Sequence, residues 1–156
     1  MIGARWPEID LKARMWTIPG DRMKSGREHR VPLSDRALEI LSGPPTEREF
    51  VFPGRYPDTP LSNMAMLQTL KKMGRSDLTT HGFRSTFRDW SAELTAYPHE
   101  TLEMALAHVV SDKVEAAYRR GDLLEKRRSL MADWASYCLK VPNTNSNVIG
   151  LHKVAS

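Results

Sequence analysis

His81-Gly82-Phe83-Arg84, then His108, then Tyr118 form an ordered set of side chains that suits chemistry at a phosphate. Breaking a phosphodiester with a side-chain nucleophile has three needs. The nucleophile must lose a proton, the non-bridging oxygens need positive charge, and the leaving oxygen needs a proton. Tyrosine can be the nucleophile, but it is protonated at neutral pH and must be activated in place. Arginine offers a planar, permanently charged fork that matches two phosphate oxygens. Histidine donates a hydrogen bond or exchanges a proton near neutrality. Each residue alone has a plainer reading. His81 and Arg84 fit a histidine near a helix N-terminus with a surface arginine. His108 fits a helix C-terminus that meets the helix dipole. Tyr118, between Ala116-Ala117 and Arg119-Arg120, fits a half-buried packing residue. It is their combination that points to chemistry.

The elements that must position these groups can be read from pattern. Ile9-Asp10-Leu11, Met15-Trp16-Thr17-Ile18 and His29-Arg30-Val31-Pro32-Leu33 read as strands, separated by turn signals at Pro19-Gly20-Asp21 and Ser25-Gly26-Arg27. They predict a small antiparallel sheet with Lys24 near a hairpin. Ser34 is an N-cap candidate for a helix carrying Ala37, Leu38, Ile40 and Leu41, stopped by Gly43-Pro44-Pro45. Ser62 is the candidate cap of a helix that buries Met66, Leu67 and Leu70. Thr79 or Thr80 caps the next helix, on which Phe83, Phe87, Trp90 and Leu94 recur at i, i+4, i+7 and i+11 as an apolar stripe. That spacing sets His81 and Arg84 on one side of the helix while Phe83 and Phe87 bury it. A helix with Leu102, Ala105, Leu106 and Val109 leads to His108, and a last helix carries Leu123, Leu130, Trp134 and Tyr137. The fold class is α+β, mainly α, with a small N-terminal antiparallel sheet.

Composition sets bounds. The 156 residues suffice for one domain with a core, and 40% apolar with 27% charged residues is ordinary for a globular protein. No apolar run approaches the length of a membrane span, and no signal-peptide layout opens the chain, so a cytoplasmic protein is expected. Cys138 is the one cysteine, which excludes an internal disulfide. No His, Cys or carboxylate cluster has a metal-ligand spacing, and no nucleophile-elbow motif suggests a serine or cysteine hydrolase. The net charge of +4 is modest. Its distribution is more telling, because Lys24, Arg27, Arg30, Lys71, Lys72, Arg75, Arg84, Arg88, Arg119, Arg120, Lys126, Arg127 and Arg128 form clusters around the reactive set. A phosphate backbone favours that arrangement, and a solvated surface is its plain alternative.

The order lysine on a hairpin, His-x-x-Arg, Leu-x-His and tyrosine resembles the tyrosine recombinases of the phage integrase family. Here it is carried by Met23-Lys24-Ser25-Gly26-Arg27, His81-Gly82-Phe83-Arg84, Leu106-Ala107-His108 and Ala117-Tyr118-Arg119. Flanking text agrees: His29-Arg30-Val31-Pro32-Leu33-Ser34, Val51-Phe52-Pro53, and Thr79-Thr80-His81-Gly82-Phe83-Arg84-Ser85-Thr86, which is close to the prophage-integrase form. The likeness spans residues 2–138.

The resemblance implies a helical catalytic domain of the DNA breaking-rejoining type and site-specific recombination of double-stranded DNA. Tyr118 would attack the scissile phosphate and form a 3′-phosphotyrosyl link. Arg84 would hold the non-bridging oxygens, His81 would assist proton transfer, His108 would add a hydrogen bond, and Lys24 would protonate the leaving 5′-oxygen. No cofactor is implied, neither ATP nor metal, because the covalent link conserves the bond energy. Arg27, Arg30, Lys71, Lys72, Arg88, Arg119 and Arg120 are the expected DNA contacts. The family also carries an arginine in an Arg-x-x-Glu-like helix, upstream of the text that matches Ala4-Arg5-Trp6, and Arg5 does not take its role. The expectation is an N-terminally truncated catalytic domain over residues 1–140, with a flexible tail over 141–156. Losing one phosphate-clamping arginine costs on the order of 3 kcal/mol by analogy with an oxyanion donor. The alternative is therefore an inactive, DNA-binding remnant. The last helix either packs on its own core or joins a homo-oligomer on DNA.

Overall fold

β-Prone runs interrupted by tight turns build the first third of the chain. The computed structural model describes residues 2–43, 48–56, 58–108 and 121–140. Strands β1 (Ile9–Asp10), β2 (Met15–Ile18) and β3 (His29–Pro32) form an antiparallel sheet in the order β1-β2-β3. Trp16 faces Ile9 on one side and Val31 on the other. Asp10 closes the first turn by accepting from the Ala13 N–H at 2.7 Å. β3 is an edge strand, which is where Pro32, with no N–H to give, is tolerated. The residues before the sheet are tied to a later segment, as Val51 donates to the Ala4 carbonyl and Trp6 to that of Glu49.

Five α-helices follow among the described residues. Helix α1 (Asp35–Leu41) is capped by Ser34, whose hydroxyl accepts from the Ala37 N–H at 3.3 Å, as its sequence predicts. Helix α2 (Ala65–Lys72) starts later than Ser62 would place it. Met64 holds the N-cap position, and Ala65 donates to the Ser62 carbonyl and not to its hydroxyl. Helix α3 (Gly82–Leu94) takes its cap from Thr79, whose hydroxyl accepts from Gly82 at 3.1 Å. Helix α4 (His99–Ala105) opens on Pro98, and α5 (Leu124–Leu139) closes the described fold.

The core lies where α3, α4 and α5 meet. Phe87 and Trp90 from α3 pack with Leu102 of α4 and Leu130 of α5, surrounded by Tyr97, Ala105, Leu106, Met131 and Trp134. Trp134 stands 5.2 Å from Phe87 and 5.0 Å from Trp90, centroid to centroid. Each such aromatic pair adds about 0.5–1.5 kcal/mol beyond its buried area. The stripe on α3 is shorter than its periodicity predicts. Phe83 is 52% exposed and Leu94 64%. Phe83 therefore does not bury the helix. The packed face lies on the central turns, where Phe87 and Trp90 meet α4 and α5. Leu130 and Trp134 pack α5 on its own core.

Candidate phosphate-binding site

Two of the residues assigned from sequence, His81 and Arg84, lie at the start of α3. His81 has helical backbone angles and sits at the N-cap of α3, exposed, with Arg84 half-buried in the first turn. The Arg84 guanidinium reaches across to α4, where Nη2 donates to the Leu106 carbonyl at 2.5 Å. That carbonyl belongs to the turn that ends α4. The His108 N–H bonds the Glu103 carbonyl at 2.9 Å, and the Ala107 N–H bonds that of Met104 at 3.1 Å. Ala107 takes φ 54°, the left-handed position at which such helix ends usually carry glycine. His108 is thus delivered by a closed turn, and Arg84 is fastened to that turn two residues earlier.

His108 is exposed, and its Nδ1 pairs with the Glu103 carboxylate. Glu103 is 16% exposed and also lies 3.3 Å from Arg88 and 3.7 Å from His99. Burial pushes this carboxyl up, but the His108 hydrogen bond and the charges of His108, Arg88 and His99 outweigh it and hold the group below the usual carboxylate range.

Lys24 lies exposed in the turn between β2 and β3, as the sequence predicts. Gly26 shapes this turn with φ 67° and a hydrogen bond to the Met23 carbonyl. Gly20 passes so near that a β-carbon there would stand 2.6 Å from the Gly26 oxygen. The base of the hairpin is held by His29, half-buried and hydrogen-bonded to the Ala105 backbone. Desolvation, with the nearby Arg127 charge, pushes the His29 imidazole below its ordinary value of 6.5; the Ala105 bond and Asp122 oppose this. Tyr118, Arg119 and Arg120 lie outside the described residues.

The expected DNA-contact cations divide. Arg27, Lys71 and Lys72 are exposed. Arg30 is also exposed but pairs with Asp122 at 2.8 Å, and Arg88 pairs with Glu103. Arg75 forks onto Asp77 at 2.9 and 3.0 Å. Arg127 corrects the surface reading outright. It is 2% exposed and donates to the Arg30 carbonyl, with Asp122 at 3.8 Å. Burial lowers its basicity. A buried guanidinium survives because it is hydrogen-bonded and faces a carboxylate. It joins α5 to β3.

Sequence reasoning missed Glu103, Arg127 and His29 as organising groups. Glu103 had a signal, a carboxylate four residues after His99 and five before His108. Two concavities among the described residues lie elsewhere, one lined by Trp90, Tyr97, Asp133 and Tyr137, another by Arg14, Leu33, Arg128 and Leu139. Among the described residues no group of three or more His, Cys, Asp or Glu is placed to hold a metal ion, and no helix is long and apolar enough to cross a membrane.

Comparison with known proteins agrees with the sequence resemblance. The model of the phage integrase family matches residues 1–124. Prophage integrase IntA of Escherichia coli (strain K12) is 42% identical over 154 residues, 94% of this chain and 36% of the relative. Prophage integrase IntZ of the same strain is 37% identical over 92% of this chain and 36% of its own length. The integrase of Shigella phage Sf6 is 34% identical over 85% of this chain and 36% of its own length. The chain thus spans about a third of these relatives. No solved structure matches.

Proposed function

This chain belongs to the phage integrase family, and from that membership we propose that it serves site-specific recombination of double-stranded DNA, cutting and rejoining strands through a tyrosyl-DNA link. Tyr118 attacks the scissile phosphorus, the bond to the 5′-oxygen breaks, and the 3′-phosphate stays on the tyrosine. Arg84 and His108 hold the non-bridging oxygens as negative charge builds. His81 takes part in proton transfer at the nucleophile, and Lys24 protonates the departing 5′-oxygen. A second DNA end reverses these steps and restores the strand. Among the described residues Arg27, Lys71 and Lys72 meet the DNA backbone, with Arg30 and Arg88 shared between carboxylates and DNA; Arg119 and Arg120 complete the proposed contacts.

The observation that carries this reading is the bond from Arg84 to the Leu106 carbonyl, which gathers the His-x-x-Arg helix and the Leu-x-His turn into one rim. A second reading, DNA binding without cleavage, needs only the exposed cations Arg27, Lys71 and Lys72. Covalent trapping on nicked duplexes separates the two. The first reading expects a protein–DNA adduct on a denaturing gel, lost in Tyr118→Phe. DNA binding with no adduct from any duplex supports the second.

A further inference from the structure

We infer that Glu103 is a positioning residue, which holds the His108 ring so that Nε2 is the nitrogen offered to a phosphate. The inference rests on the strand-cleavage reading and assigns a part to a residue outside the recombinase motif.

Glu103 grips His108 at two points. Its backbone carbonyl accepts the His108 N–H at 2.9 Å, and its carboxylate pairs with Nδ1 of the same residue. One attachment sets where the ring begins and the other sets its rotation. An ionised carboxylate can only accept hydrogen bonds. The Glu103 carboxyl is kept ionised at neutral pH by its basic neighbours, so Nδ1 must carry a hydrogen. The ring is left with Nε2 as its outward nitrogen, able to donate whenever it is protonated. Histidines that bind metals, or that act as general bases beside a carboxylate, are oriented by the same logic.

A carboxylate beside a phosphate site would repel the substrate if its charge stood unanswered. Here Arg88 from α3 and His99 from α4 face Glu103 at 3.3 and 3.7 Å, and His108 faces it from the turn. Arg88 thereby has a use other than direct DNA contact, as it offsets the charge that orients His108.

The test joins a spectrum to a rate. Side-chain ¹⁵N NMR of the full chain at mildly alkaline pH should show His108 protonated at Nδ1. Glu103→Gln, whose amide can turn either its oxygen or its nitrogen to the ring, should release part of the population to the Nε2–H form. In single-turnover cleavage at saturating nicked duplex, Glu103→Gln should slow adduct formation by about tenfold to a hundredfold. Duplex affinity should stay within about twofold of the unaltered chain, because no contact to the phosphate is itself removed, and Glu103→Asp should recover part of the rate. An unchanged His108 tautomer in Glu103→Gln overturns the inference, as does a rate loss matched by an equal loss of DNA affinity. If the unaltered chain forms no adduct, the strand-cleavage reading fails for it, while the spectra still decide whether Glu103 sets the ring.

Discussion

The turn that ends α4 and the turn between β2 and β3 carry groups proposed for one reaction, and they are held in opposite ways. The α4 turn is tied from outside. Arg84 donates to its Leu106 carbonyl, Glu103 holds both backbone and ring of His108, and Ala105 and Leu106 pack against the core cluster that includes Leu102. The β2–β3 turn is shaped from within, by Gly26 at positive φ and by close passage of Gly20. Among the described residues no side chain pairs with Lys24. The difference matches the roles proposed for the two turns. Groups that stabilise charge at the phosphorus work best fixed before the reaction. A proton donor to the leaving oxygen needs only to arrive within reach when that bond breaks.

Removing Arg84 strikes the tied side hardest. Arg84→Ala should lower single-turnover cleavage by about a hundredfold to a thousandfold. It should also cost about 1–3 kcal/mol of stability, read by urea unfolding, because a charged donor to the Leu106 carbonyl is lost. Arg84→Lys should keep most of the stability and little of the rate, since a point charge cannot replace the fork.

On the other side, Gly20→Ala should break the Lys24 turn. Its new methyl meets backbone atoms of Gly26, and overpacking of this kind costs about 1–3 kcal/mol. Hydrogen exchange should rise at Lys24–Arg27 and stay unchanged at Leu102–His108. Exchange that rises equally in both places would mean that the two turns form one unit.

A smaller effect runs the other way. Ala107→Gly should stabilise the chain by about 0.5–1 kcal/mol, because glycine adopts the positive φ of Ala107 without strain. Cleavage should be retained.

The smallest effect is a dependence on acidity at the contact between the sheet and α4. His29 is held below its ordinary 6.5, so the unfolded chain takes up this proton first as pH falls. Stability from His29 is complete above that value and declines below it, with a slope of at most one proton. Glu103 and Glu8, both held below 4.5, add losses in the same direction at lower pH. His29→Gln should remove the first part of the decline and leave the second.

Much of this was legible in the sequence, for physical reasons. Met15–Ile18 and His29–Pro32 pair as strands because β-prone runs flank turn residues, and Ser34 caps α1 through a local bond that a hydroxyl announces. Phe87 and Trp90 were visible as core through helical spacing. The same spacing misled at Phe83 and Leu94, because periodicity says which face is apolar and not how far a partner extends along it. Arg127 was hidden inside a basic run, and its burial depends on the Arg30 carbonyl, 97 residues away in sequence. The site divides likewise. His81 and Arg84 could be joined from their i, i+3 spacing, whereas the link from Arg84 to the His108 turn passes through a backbone carbonyl, which leaves no residue signature.

The most direct measurement compares Lys24→Ala and Arg84→Ala on a duplex whose scissile 5′-oxygen is replaced by sulfur. A thiolate leaves without needing a proton, whereas charge still builds on the phosphate. The account predicts that Lys24→Ala, slow on the oxygen duplex, cleaves the sulfur duplex at nearly the unaltered rate, while Arg84→Ala stays slow on both. Failure of sulfur to restore Lys24→Ala, or equal restoration of the two variants, would contradict the division of labour between the two turns.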